Sequence, residues 1–135
     1  MLEIPREILD AVMAQAQDGF PLEVCGLMGG AANRVTSRYP MTNTDASNEH
    51  FMMDPKEQFA AVKAMRAAGE EMLVIYHSHP ESPARPSQED IRLALTPNVC
   101  HLIVSLENRE APEAKAFRIS AGQVEPVEIV TAKAI

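Results

Sequence analysis

The stretch MLVIYHSHPESPARPSQED, residues 72–90, decides how this chain is read. Met72 to Tyr76 are apolar and rich in β-formers, the composition of a buried strand. His77 and His79 continue that strand two residues apart, so both point to one face. Two imidazoles on one face can grip a single ion. Asp90 offers a carboxylate from beyond the loop, making three protein ligands and leaving the fourth tetrahedral position to water, as in catalytic rather than structural zinc. Pro80, Pro83 and Pro86 restrict the connecting loop. Ser87-x-x-Asp90 also fits a helix N-terminus, with Ser87 as N-cap and Asp90 at N3, ahead of the apolar Ile91, Leu93, Ala94 and Leu95. The two roles are compatible, because a carboxylate in the first turn of a helix beside the ion can bind it while Ser87 caps the helix.

Before this stretch, residues 5–17 (PREILDAVMAQAQ) predict a helix, with Pro5 near its first turn and Ile8, Leu9, Val12 and Met13 at helical spacing; Asp18-Gly19 is the stop. Residues 22–28 predict a strand ending in a turn at Gly29-Gly30, and residues 34–41 its hairpin partner. The polar residues 42–50 predict a loop, followed by a short strand at 51–53. Asp54-Pro55-Lys56-Glu57 is a strong helix start, with Asp as N-cap, Pro at N1 and Glu at N3. That helix is predicted to reach Ala68, with Phe59, Val62 and Met65 as its apolar stripe and Gly69 as its end. After the stretch, the helix begun at Ser87 is stopped by Thr96-Pro97-Asn98. Strands follow at 100–106, 114–119 and 124–130, the last two joined at 120–123, and Pro126 places the last at a sheet edge. The order predicts an α/β protein, one domain over residues 1–135, with a mixed β-sheet and flanking helices. No repeat, low-complexity segment or linker divides it.

The formal net charge of −7, with no visible basic cluster, argues against a nucleic-acid partner. No apolar run approaches the roughly 20 residues that span a bilayer, and the opening MLEIPREILD carries acidic residues where a signal peptide would be basic, so a cytoplasmic protein without membrane association is expected. Cys25 and Cys100 sit in apolar strand-like contexts and read as buried thiols, a disulfide between neighbouring strands being the alternative. Two cysteines without C-x-x-C rule out a four-thiolate zinc site.

His-x-His-Pro, six residues, Ser-x-x-Asp resembles the signature of the JAMM (MPN+) metalloproteases. Glu23-Val24-Cys25-Gly26-Leu27-Met28-Gly29-Gly30 resembles that family's N-terminal block. Asn43, Phe51 and Asp54-Pro55 also fall where family members carry such residues. The resemblance implies a JAMM/MPN (cytidine-deaminase-like) fold and one Zn2+ per chain on His77, His79 and Asp90. It implies Glu23 as general acid/base and Ser87 as stabiliser of the tetrahedral intermediate. Without it, Glu23 reads as an outward-facing strand carboxylate. The short chain resembles the compact prokaryotic branch, which implies a ubiquitin-like sulfur-carrier protein as partner and cleavage at or beyond its C-terminal Gly-Gly. RadC proteins share part of the pattern, but the Glu-x-Cys-Gly block and the missing upstream helix-hairpin-helix region stand against them. The rival from another class is an MPN-type protein-binding module that has lost its ligands, and here all five motif residues are present. His50 reads as an exposed loop histidine near the site, and His101 as a structural strand residue. No pattern sets an oligomeric state.

Overall fold

The computed structural model describes residues 1–131; residues 132–135, the end of the expected domain, lie outside the described residues. Helix α1 spans Arg6–Gly19 and follows Pro5, whose fixed φ suits the chain entry into a helix. It runs slightly past the expected stop and buries Leu9, Val12 and Ala16. Ahead of it, the two-residue strand β1 (Leu2–Glu3) was not foreseen, since two residues show no periodicity.

Strand β2 is Cys25–Ala31 and β3 is Arg34–Met41, the latter as expected. The turn between them corrects the reading of Gly29-Gly30: it falls at Ala32-Asn33, both in the left-handed region with φ of 53° and 62°. The glycines serve the strand instead. The pairing register shifts around them, and a Cβ on Gly30 would collide with the carbonyl oxygen of Arg34. The expected strand at 51–53 reduces to one bridge, Asn43 to Met53, because Phe51 turns toward His77 and the Asn43 side chain takes the Met52 N–H.

Helix α2 spans Pro55–Ala67, capped as predicted by Asp54, which accepts from the Lys56 N–H at 2.8 Å. Glu57 departs from the capping role and accepts from the Thr42 N–H and hydroxyl. The expected stripe is also corrected: Phe59 is exposed, and Ala61 and Met65 make the buried contact. Strand β4 is Glu71–His79, α3 only Gln88–Arg92, and β5 Cys100–Ser105. Leu93 and Leu95 lie beyond α3 and are exposed, so the predicted longer helix does not form.

Strand β6 is Glu113–Ser120, and the expected last strand divides into β7 (Gln123–Val127) and β8 (Ile129–Val130). The sheet order is β7-β6-β5-β4-β2-β3-β1-β8. Eight strands laid flat would separate β7 from β8 by about 34 Å, yet only Glu128 lies between them, and a residue spans about 3.5 Å. The sheet therefore curls until its two ends meet. Residues of α1 fill one side with Met28, Val74, Tyr76, Leu102 and Val104. On the other side α2 covers Cys25 and Leu27, while Ile91 and Ala94 cover Ile103 and Phe117. The result is a mixed sheet with flanking helices, as expected. Among the described residues no helix is long and apolar enough to cross a membrane.

Candidate active site

The histidines are held by the middle of the sheet. His77 lies between Cys25 of β2 and Ile103 of β5, and His79 beside Ser105. Their side chains share a face, as period-two alternation requires. Ser78 points the other way: its Oγ accepts from the Val24 N–H at 2.8 Å and its own N–H donates to the Val24 carbonyl at 3.0 Å. This pair of bonds ties the residue after Glu23 to the histidine strand. Asn43 secures the other side, donating to the carbonyls of Glu23 (3.1 Å) and His50 (3.0 Å) while accepting from the Asp45 and Met52 N–H groups.

Three atoms converge. His77 Nε2 lies 3.1 Å from His79 Nε2 and 3.2 Å from Asp90 Oδ2, and His79 Nε2 lies 3.1 Å from the same oxygen. An ion with ligand bonds of about 2.1 Å in a tetrahedron sets its ligand atoms about 3.4 Å apart, so this trio fits one. It is the group of that kind among the described residues. The Pro83 carbonyl accepts from His79 Nδ1 at 2.9 Å, which places the proton of the neutral ring on Nδ1 and leaves the Nε2 lone pair free. Phe51 stacks on His77, with ring centroids 4.6 Å apart. Asp90 reaches the trio from α3 through a capping box, in which the Asp90 N–H donates to Ser87 Oγ (3.0 Å) and the Ser87 N–H to Asp90 Oδ2 (2.9 Å). Capping and convergence on the histidines therefore coexist.

Glu23 corrects the outward-facing reading. It precedes β2 rather than lying within it, is only 4% exposed, and its Oε1 has no hydrogen-bond partner among the described residues. Burial is the main cause that pushes its pKa up from 4.5 to about 7; His79 works against the shift and the Asp90 charge adds to it. Burial lowers the pKa of His77, against the pull of Asp90. For His79 burial is the largest influence and opposes protonation, but the Asp90 hydrogen bond, the Pro83 carbonyl and the charges of Asp90 and Glu23 together outweigh it and the pKa is raised. Burial also opposes ionisation of Asp90, yet hydrogen bonds from both histidines hold it well below the usual carboxylate range.

A stability measurement checks the Glu23 environment. An acid with a raised folded pKa is stabilising below its unfolded value, and that contribution is lost as pH rises from about 4.5 through about 7. The melting temperature of metal-free wild type should accordingly fall relative to Glu23→Gln across this interval and run parallel to it above about pH 8. A difference between the two that does not change with pH would return Glu23 to a solvated environment.

Other expectations resolve simply. Cys25 and Cys100 are buried free thiols on strands separated by β4, and burial pushes Cys25 up to about 12. His50 is exposed and pairs with Asp45 at 3.0 Å. His101 is buried outside the trio, and burial lowers its pKa. Ser78 and the Pro83 carbonyl were not anticipated. Period-two parity would have placed Ser78 opposite the histidines, whereas nothing in the sequence indicates where Pro83 folds back.

Two imidazoles and a carboxylate beside a buried protonatable glutamate, set in a JAB1/MPN sheet, define a hydrolase of the JAMM type. Residues 5–120 match the family described as prokaryotic homologs of the JAB domain, and the chain belongs to it. It is 35% identical over 134 residues to the CysO-cysteine peptidase of Mycobacterium tuberculosis, covering 96% of this chain and 92% of that one. It is 33% identical to the desampylase of Haloferax volcanii, covering 80% and 83%. A solution structure of a protein from Desulfitobacterium hafniense is 42% identical and superimposes with a TM-score of 0.90, covering 100% of this chain and 95% of that one.

Proposed function

We propose that this chain acts as a single-domain zinc peptidase that hydrolyses the amide bond at the C-terminal Gly-Gly tail of a ubiquitin-like sulfur-carrier protein. In this reading His77, His79 and Asp90 hold one Zn2+, Glu23 is the general base and then acid, and Ser87 donates to the oxyanion. The observation that carries it is the convergence of His77 Nε2, His79 Nε2 and Asp90 Oδ2, with the buried Glu23 near enough to feel the charges of His79 and Asp90. The names of the relatives, a CysO-cysteine peptidase and a desampylase, support the substrate class.

Zinc bound there would polarise the scissile carbonyl and lower the pKa of a water to about 7. Glu23, whose pKa burial raises in the metal-free site, takes a proton from the attacking water and passes it to the leaving amine. Ser87 Oγ accepts from the Asp90 N–H, so its own O–H remains to donate to the growing oxyanion. Glycines at the scissile step let the tail backbone approach closely, which side chains would prevent.

The direct test is mass spectrometry of ubiquitin-like carriers with extended Gly-Gly tails after incubation with the protein. Products ending at Gly-Gly are expected, and bulky replacements of the terminal glycines should abolish cleavage. Carriers left intact while unrelated peptides are cut would leave a peptidase without the carrier specificity. Ser87 is tested with glycine, which nearly spares the cap that alanine would lose at about 1 kcal/mol. Ser87→Gly should fold and bind zinc almost normally yet lose about a hundredfold in kcat. A variant that melts early but turns over normally would reduce Ser87 to a cap.

A further inference from the structure

Beside the His77–His79–Asp90 trio lies a cavity of about 230 Å³, which shares His77 and Asp90 with it. It opens beside the apolar cluster under α2, whose Phe51, Met53 and Ile75 line it. Phe51, Met52, Met53, Ile75 and Leu93 supply its apolar walls, with Met52 and Leu93 exposed. His101 also lines it. That side chain is only 9% exposed, and its Nε2 has no hydrogen-bond partner among the described residues. A buried unpaired ring nitrogen costs stability unless something binds to it, and a cavity lined this way holds a place for an apolar group with one polar atom.

We propose that this cavity receives the side chain of the residue that leaves on cleavage, and that it selects an uncharged, largely apolar side chain of methionine-to-tyrosine size whose polar atom meets His101 Nε2. This rests on the carrier reading above. The acyl side of a Gly-Gly tail has no side chain to place, so a side-chain pocket that shares two residues with the trio serves the departing residue. Size narrows the choice. A dry cavity of about 150 Å³ takes benzene, so this one admits a substituted ring, and cysteine would leave most of it unfilled. Charge narrows it further, since Glu89 at the wall disfavours an acidic side chain.

The test is a carrier ending in Gly-Gly-X, with X as Gly, Cys, Met, Phe, Tyr or Glu. Values of kcat/KM should rise at least about tenfold from Gly to Met or Tyr, with Cys between them and Glu lowest. Tyr should exceed Phe by about threefold or more through the His101 hydrogen bond, and His101→Phe should erase that preference. Leu93→Glu changes an exposed residue and so keeps the fold; it should lower the Met-to-Gly ratio. Equal rates for every uncharged X, with cleavage intact, would overturn the inference while sparing the carrier reading. Release of no X at all would instead overturn the carrier reading, and the cavity is then judged by titrating Glu23→Gln with p-cresol and toluene while following methyl NMR signals of Met52, Met53, Ile75 and Leu93. Shifts with p-cresol binding about threefold or more tighter than toluene, equalised by His101→Phe, would uphold the cavity as a receptor for such a side chain. Absence of shifts would remove it.

Discussion

Glu23→Gln is expected to bind one zinc per chain as tightly as wild type and to lose about 10²–10⁴-fold in kcat, the range that a positioned general base contributes. The separation follows from geometry. His77, His79 and Asp90 converge without Glu23, so the amide replacement leaves the trio intact. What disappears is the proton acceptor, since an amide cannot cycle between protonated and ionised forms. The isosteric side chain also fills the buried position, so the fold should hold. Metal analysis alongside single-turnover kinetics checks both halves. Wild-type turnover in Glu23→Gln, on any substrate the native protein cleaves, would remove Glu23 from catalysis, and loss of metal would make it a ligand.

His79→Ala should lose both metal and activity. The variant removes one of the three converging atoms and, with it, the bond to the Pro83 carbonyl that orients the ring. Loss of an outer partner of a metal ligand alone typically costs about 10–100-fold in affinity, so loss of the ligand should exceed that. Zinc content after dialysis should fall far below one per chain. Stoichiometric tight zinc in this variant, or spectroscopic ligation by His50 or His101, would overturn the assignment. Circular dichroism at matched temperature separates metal loss from unfolding.

Much of the architecture was legible because its causes are local. Asp54-Pro55 announces α2 by supplying a side-chain acceptor and a residue without an N–H where the helix needs neither donor nor longer entry. His77 and His79 share a face because strands alternate, and Ser87-x-x-Asp90 forms a capping box because that spacing matches one helical turn. Errors arose where distant contacts overrode local signals. Gly29-Gly30 has turn composition, but close approach of the Arg34 carbonyl makes glycine a requirement of the strand, and the turn moved to Ala32-Asn33. Phe59 has the right helical spacing for burial, yet α2 contacts the sheet through Ala61 and Met65.

The sequence by itself determined the order of most elements, the two imidazoles on one face, and the residue set whose spacing resembles a JAMM site, since dihedral preferences and periodicity act over a few residues. Only the tertiary structure decided that the sheet curls until β7 and β8 adjoin, and that Asp90 meets both histidines from across a loop. It alone decided that Glu23 is buried with a pKa near 7, and that a cavity with an unpaired His101 opens beside the trio. Desolvation and cavity shape depend on every group packed around an atom, whatever its distance along the chain. In Glu23 those groups come from segments tens of residues away, and no local pattern encodes their approach.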